Sequence, residues 1–79
     1  MKINDVFKSF LNKGVQLDVS VLDGEVVLIQ GTKESLKMLG NLFLSLSESD
    51  EEKVQISPRG AGSTFFKKKS KLGIYLNKI

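Results

Sequence analysis

The sequence contains no cysteine and no histidine, and these two absences remove many of the side chains on which catalysis depends. Without cysteine the chain forms neither a disulfide bond nor a thiolate nucleophile. Without histidine it lacks the side chain that most often acts as a general base, and the usual zinc sites require one of these two residues. We therefore expect a protein that is not an enzyme and that holds no metal or cofactor.

Long apolar runs are also missing. No stretch approaches the roughly 18 apolar residues that indicate a membrane helix. The opening residues, MKINDVFKSFLNKG, include the acidic Asp5 and lack the apolar run of a signal peptide. These features, together with the absence of cysteine, predict a cytoplasmic protein with no membrane partner. The length of 79 residues predicts a single small domain spanning residues 1–79.

The formal net charge of +3 conceals an asymmetry between the two parts of the chain. Residues 1–52 contain five lysines and all nine acidic residues, which gives −4, whereas residues 53–79 contain seven basic residues and no acid, which gives +7. Such a chain can pair its own two halves. The basic half therefore does not by itself imply an anionic partner.

The clearest local signal is the segment VQLDVSVLDGEVVLIQ at residues 15–30. Two alternating apolar runs flank Asp23-Gly24, a pair that tolerates the positive φ angles of a type I′ turn. A two-residue loop would place Leu22 opposite Glu25 and start an antiparallel hairpin. In that register one apolar face carries Val15, Leu17, Val19, Val21, Val26 and Leu28.

Two helices are predicted around this hairpin. Residues 33–47 form the longer one, with Thr32 as its N-cap and an apolar stripe of Leu36, Leu39, Phe43 and Leu46. Gly40 lies on that stripe, which predicts a close approach to a sheet. Residues 4–14 predict a short amphipathic helix capped by Asn4.

Two further strands are predicted at residues 53–57, KVQIS, and 71–79, KLGIYLNKI. The fold class is therefore α+β in the order αββαββ, with a four-stranded, at least partly antiparallel sheet. The long helix packs on one face of this sheet, and the short N-terminal helix is expected to cover the other. A homodimer through the second face and a different partner on that face are the alternatives. That face would expose Val27, Ile29, Tyr75 and Ile79.

Two charged segments are candidate partner-binding sites. In the first, aromatic rings lie beside lysines, a combination typical of surfaces that bind single-stranded nucleic acid. Because Arg59 is the sole arginine and the first half is acidic, composition favours a protein partner or a solvated edge instead. The first candidate consists of Phe65, Phe66, Lys67, Lys68 and Lys69.

The second candidate is the acidic connection SESDEE, which would suit a basic partner. It lacks the glycine that bends a calcium-binding EF-hand loop, so no calcium site is predicted. The two candidate surfaces stay open at this point. The acidic residues are Glu48, Asp50, Glu51 and Glu52.

Three segments share a layout with a known family: VVLIQGTKESLKMLGNLFLSLSES, KVQISPRGAGS and SKLGIYLNK. A strand ends at Gly31, a helix opens with Glu34-Ser35-Leu36, and a short strand ends in Ser57-Pro58-Arg59-Gly60. A final strand runs from Ser70 to Leu76. This layout, over roughly residues 26–78, resembles the immunity protein 32 family of bacterial polymorphic toxin systems.

The resemblance implies a cytoplasmic protein that binds and neutralises a cognate toxin domain without catalysis. Two alternatives from other classes stay open. One is a small nucleic-acid-binding protein that uses the basic C-terminal half. The other is a homodimeric structural or interaction protein.

Overall fold

The computed structural model describes residues 2–79 and follows the predicted element order αββαββ. The α+β class is therefore confirmed. A single 3₁₀ turn, Ser63–Phe65, lies between the last two strands. The helices and strands are α1 Ile3–Phe10, β1 Leu17–Leu22, β2 Val26–Gly31, α2 Lys33–Glu48, β3 Lys53–Ile56 and β4 Ile74–Asn77. Neither helix of residues 2–79 has the length and apolar character needed to cross a bilayer.

The strands form two separate antiparallel sheets, β1–β2 and β3–β4, so the predicted four-stranded sheet is wrong. The reason lies in residues 66–72, which run beside β1 in the parallel direction without becoming a regular strand. The N–H of Lys67 donates to the carbonyl of Leu17 at 2.8 Å, and the N–H of Leu72 donates to the carbonyl of Val19 at 3.2 Å. A turn between these two bonds, closed by Ser70 N–H and the Lys67 carbonyl at 3.0 Å, interrupts the ladder.

The hairpin forms where expected, but its register differs by one residue. Asp23 and Gly24 have φ angles of 56° and 78°, which confirms the positive φ predicted for this pair. Leu22, however, pairs with Val26, so the loop contains three residues instead of two. A shift of one residue turns every side chain of β2 to the opposite face. Val27 and Ile29, which pair with Val21 and Val19, therefore replace Val26 and Leu28 on that face.

Helix α2 begins as predicted at the Thr32 cap. The N–H of Ser35 donates to Thr32 Oγ1 at 3.2 Å, and the N–H of Thr32 donates to Ser35 Oγ at 3.1 Å, which forms a reciprocal capping box. Ser35 Oγ also accepts a hydrogen bond from the N–H of Gln16 at 2.7 Å. These bonds tie the start of α2 to the residues that precede β1.

The buried stripe of α2 is rotated from the predicted one. Leu36 and Phe43 are 54% and 50% exposed, and a Cβ added to Gly40 would meet no atom within 4 Å, so the predicted close approach at Gly40 is wrong. Helix α1 packs along α2, more extensively than β2 does, so the prediction that the two helices cover opposite faces of one sheet is wrong. The position of α1 therefore determines which apolar stripe of α2 is buried. The buried residues are Ser35, Met38, Leu39, Leu42, Ser45 and Leu46.

The core joins both helices, β1 and the segment before β4. Helix α1 contributes Ile3 and Val6, and the ring of Phe7 stacks on Phe65 with centroids 5.8 Å apart. The helix begins at Ile3 after an N-cap residue, Lys2, that makes no side-chain cap bond, so the predicted Asn4 cap is wrong. The other core residues are Val15, Leu17, Val19, Met38, Leu39, Leu42, Leu46, Ile56, Phe65 and Phe66.

Candidate functional site

The lysine-rich segment lies along the open side of β1. Phe66 and Ser70 anchor it because both are buried, while the lysines between and after them are exposed. The turn at residues 67–70 and the bond from Leu72 to Val19 fix the backbone at both ends. Lys67, Lys69 and Lys71 line two adjoining depressions beside β1, and we call these three residues the basic surface.

A single carboxylate lies in the middle of the basic surface. Asp18 lines both depressions, and its Oδ2 lies 3.7 Å from Lys69 Nζ. The Asp18 side chain is 14% exposed, whereas that of Lys69 is 73% exposed. One carboxylate offsets one of the three ammonium groups, so the surface keeps a net positive charge. Arg59 adds a further cation nearby, since its Nη2 donates to the carbonyl of Lys71 at 2.9 Å.

The two depressions differ in chemistry. The first has a volume of about 280 Å³ and is bounded on its far side by the end of β2 and the Thr32 cap. The second has a volume of about 430 Å³ and includes the apolar side chains of Val21 and Leu72. Ammonium groups beside shallow open depressions suit carboxylate side chains that protrude from another protein.

Phe65 and Phe66 do not belong to the basic surface. They are 6% and 7% exposed, and their rings lie in the core. Stacking on nucleic-acid bases requires accessible aromatic faces, which these rings do not offer in this fold. Lys68 is exposed but lines neither depression, whereas Lys71, which the sequence-based candidate set omitted, lines the second. Lys71 could have been included from the sequence, because it belongs to the same lysine-rich run, KKKSK at residues 67–71.

The acidic candidates lie together at the C-terminal end of α2 and in the connection that follows it. Glu48, Asp50, Glu51 and Glu52 are all exposed, and within residues 2–79 none of them lies within ion-pair distance of a basic side chain. Asp5 of α1 shares a depression with Glu48 and Asp50, a neighbour that sequence spacing did not reveal. No group of three or more potential ligands within residues 2–79 is arranged to hold a metal ion.

An apolar surface accompanies the two charged ones. Phe43 and Tyr75, 50% and 55% exposed, flank a depression of about 420 Å³ between α2 and β4. The β2 strand is also exposed along much of its length, with Val27 at 60% and Ile29 at 38%. Comparison of the chain with protein-family models, with curated proteins and with solved structures gave no match.

Proposed function

We propose that this protein is a non-enzymatic binding module whose basic surface contacts an acidic surface of a protein partner. The observation that carries the proposal is the convergence of Lys67, Lys69 and Lys71 on two depressions around the one carboxylate of Asp18. A backbone anchored by core residues holds these side chains close together. Their charges therefore act on a partner as one patch.

The physical role of such a patch is to attract and orient. Exposed charges act over about 8 Å at physiological ionic strength, so three neighbouring ammonium groups accelerate encounter with an acidic surface and select its orientation. Individual exposed ion pairs contribute about 0–1 kcal/mol each. Affinity then depends on apolar contact beside the charges, and the exposed parts of Val21 and Leu72 in the second depression supply it.

The resemblance to immunity proteins suggests the class of partner. In this proposal the partner is a toxin domain, and the module neutralises it by covering a surface that the toxin needs. A module without catalytic groups suffices for this role because occlusion requires only affinity and shape. The acidic residues Glu48, Asp50, Glu51 and Glu52 are the competing contact surface, for a basic toxin.

Capture from the native host followed by mass spectrometry tests the proposal. The tagged protein is compared with a triple variant of the basic surface, Lys67→Glu, Lys69→Glu and Lys71→Glu. A matched control carries the same charge change at exposed lysines of the N-terminal region, Lys2→Glu, Lys8→Glu and Lys13→Glu. Circular dichroism establishes that both variants are folded.

We expect one specific protein to be captured by the wild type and the control and lost by the basic-surface variant. The captured protein is then purified, and calorimetry measures its affinity for each variant. If the basic-surface variant still bound the captured protein and a Glu48→Lys, Asp50→Lys, Glu51→Lys variant did not, the contact surface would be the acidic residues and not the lysines. Capture of nucleic acid or ribosomal material alone would contradict the proposal.

A further inference from the structure

Within residues 2–79, no hydrogen bond joins the outer edge of β2 to another part of the chain. On the other side of this sheet, β1 is bonded to residues 66–72. The carbonyl of Leu17 accepts from the N–H of Lys67 at 2.8 Å, and the carbonyl of Val19 accepts from the N–H of Leu72 at 3.2 Å. Peptide groups alternate in direction along a strand. The other residues of β1 therefore direct their peptide groups to β2.

The same alternation fixes the direction of each peptide group in β2. The residues that pair with Asp18, Ser20 and Leu22 face β1, and they are Gln30, Leu28 and Val26. Val27, Ile29 and Gly31 consequently direct their N–H and C=O groups away from β1, toward the outer edge. All three residues are exposed.

This edge lacks the features that usually protect an exposed strand. Proteins protect sheet edges with charged side chains, proline, bulges, very short strands or a covering element. The β2 sequence, VVLIQG, has six residues with no charge and no proline, and its register with β1 has no bulge. By contrast, β3 and β4 have four residues each. A regular six-residue edge with apolar side chains on both faces is a template for a further strand.

We infer that β2 pairs in antiparallel fashion with β2 of a second copy of this chain, about a twofold axis at Ile29. Two edges can bond only where both present outward-directed peptide groups. The register about Ile29 satisfies this condition for all three outward-directed residues: Val27 of one copy pairs with Gly31 of the other, and Ile29 pairs with its own counterpart. The two hairpins then form one continuous antiparallel sheet.

The charges at the two ends of β2 favour a second copy as the occupant. Glu25 precedes the strand and Lys33 follows it by two residues, and both are exposed. Within residues 2–79 neither lies within ion-pair distance of an opposite charge. This register brings the start of β2 in each copy, which follows Glu25, beside the end of β2 in the other, which precedes Lys33, so two complementary pairs of charges come together by symmetry. The register shifted by two residues would place Glu25 opposite Gly31 and lose both pairs.

Charge exchange tests the pairing with the full-length chain. Sedimentation velocity over about 5–500 μM gives the dissociation constant of the dimer, and the mass is expected to rise from 8.8 kDa toward twice that value. Glu25→Lys alone and Lys33→Glu alone each convert attraction into repulsion at both ends. We expect each to weaken the dimer about tenfold. The double variant restores both pairs and returns the dissociation constant to about the wild-type value.

Two valines provide a matched control for the edge itself. Val21 and Val27 are directly opposite each other in the hairpin and are 54% and 60% exposed, but only Val27 belongs to β2, the strand whose outer edge forms the inferred pairing. Val27→Lys is expected to weaken the dimer, and Val21→Lys to leave it unchanged. Equal effects of both variants would indicate association through the face of the sheet and would overturn the inference.

Amide hydrogen exchange of the wild type gives an independent readout that needs no variant. In dilute solution the N–H groups of Val27 and Ile29 exchange rapidly, whereas that of Leu28 is protected by β1. At high concentration the first two become protected as well. A chain that stays monomeric throughout, or a dimer in which the Val27 and Ile29 amides still exchange rapidly, would overturn the inference.

Discussion

The hydroxyl oxygen of Ser70 accepts a hydrogen bond from the backbone N–H of Val19 at 2.9 Å, at a position where a regular strand would offer a carbonyl. Ser70 is 1% exposed, and its hydroxyl lies 3.2 Å from the carbonyl of Leu72, to which it donates. One side chain thus completes the ladder between β1 and residues 66–72. The same contact holds the base of the lysine-rich turn.

Replacement of Ser70 by alanine is expected to destabilise the protein by about 1–3 kcal/mol, because it leaves the buried N–H of Val19 without a partner. Urea denaturation followed by circular dichroism measures the free energy of unfolding. Ser9→Ala is the control, since Ser9 is exposed on α1 and bonds only a carbonyl of its own helix. Similar unfolding free energies for the two variants would show that the Ser70 bond has no special role.

Two glycines are expected to respond in opposite directions to alanine. A Cβ at Gly31 would lie 2.5 Å from Ser35 Cβ, so Gly31→Ala should cost about 1–3 kcal/mol through overpacking at the start of α2. Gly40 lies inside α2 with no atom within 4 Å of an added Cβ, so Gly40→Ala should stabilise the helix by about 0.5–1 kcal/mol. Thermal melts of both variants measure the difference. A destabilising Gly40→Ala would contradict the exposed placement of that residue.

Lys78 closes the C-terminal end of α2. Its Nζ donates to the carbonyls of Leu46 and Ser49 at 2.9 Å and 2.5 Å, and α2 has no basic residue in its own last turn. Lys78→Met keeps an unbranched side chain that is shorter by one atom and removes these bonds, so we expect a loss of about 1 kcal/mol and faster amide exchange in the last turn. Lys68→Met, at an exposed lysine that lines neither depression, should leave both measurements unchanged. Unaltered exchange in Lys78→Met would contradict the cap.

Salt dependence distinguishes a protein-binding surface from a nucleic-acid-binding one. If the three lysines of the basic surface contacted phosphates, log K would fall with log salt at a slope of about −2.7, a loss of about 40-fold between 50 and 200 mM. We expect no measurable binding to mixed-sequence single-stranded DNA or RNA at 50 mM salt, because Asp18 lies within the surface and the phenylalanine rings are buried. Fluorescence anisotropy checks this. Tight binding with that slope, abolished by the triple lysine variant, would support the nucleic-acid alternative.

The elements of this fold could be predicted because their signals are local. Thr32 caps α2 through its own side chain, and Asp23-Gly24 adopts the positive φ angles that few other pairs tolerate. The lysine-rich run was also recognised as a surface from its composition alone. If this segment were extended, adjacent Phe65 and Phe66 would face opposite ways, which predicts that one ring lies in the core and the other at the surface. A 3₁₀ turn ending at Phe65 places both in the core.

The sequence by itself determined where the hairpin turns, where α2 begins and which half carries the positive charge, since each depends on residues within a few positions of one another. Only the tertiary structure decided the register of β2, the buried side of α2 and the division into two sheets. The hairpin and α2 each offer two apolar faces of similar strength, and distant contacts from α1 and residues 66–72 select between them. The lysines became a surface around Asp18 for the same reason. Ser70, which lies 51 positions after its hydrogen-bond partner Val19, fixes the backbone of the lysines against β1.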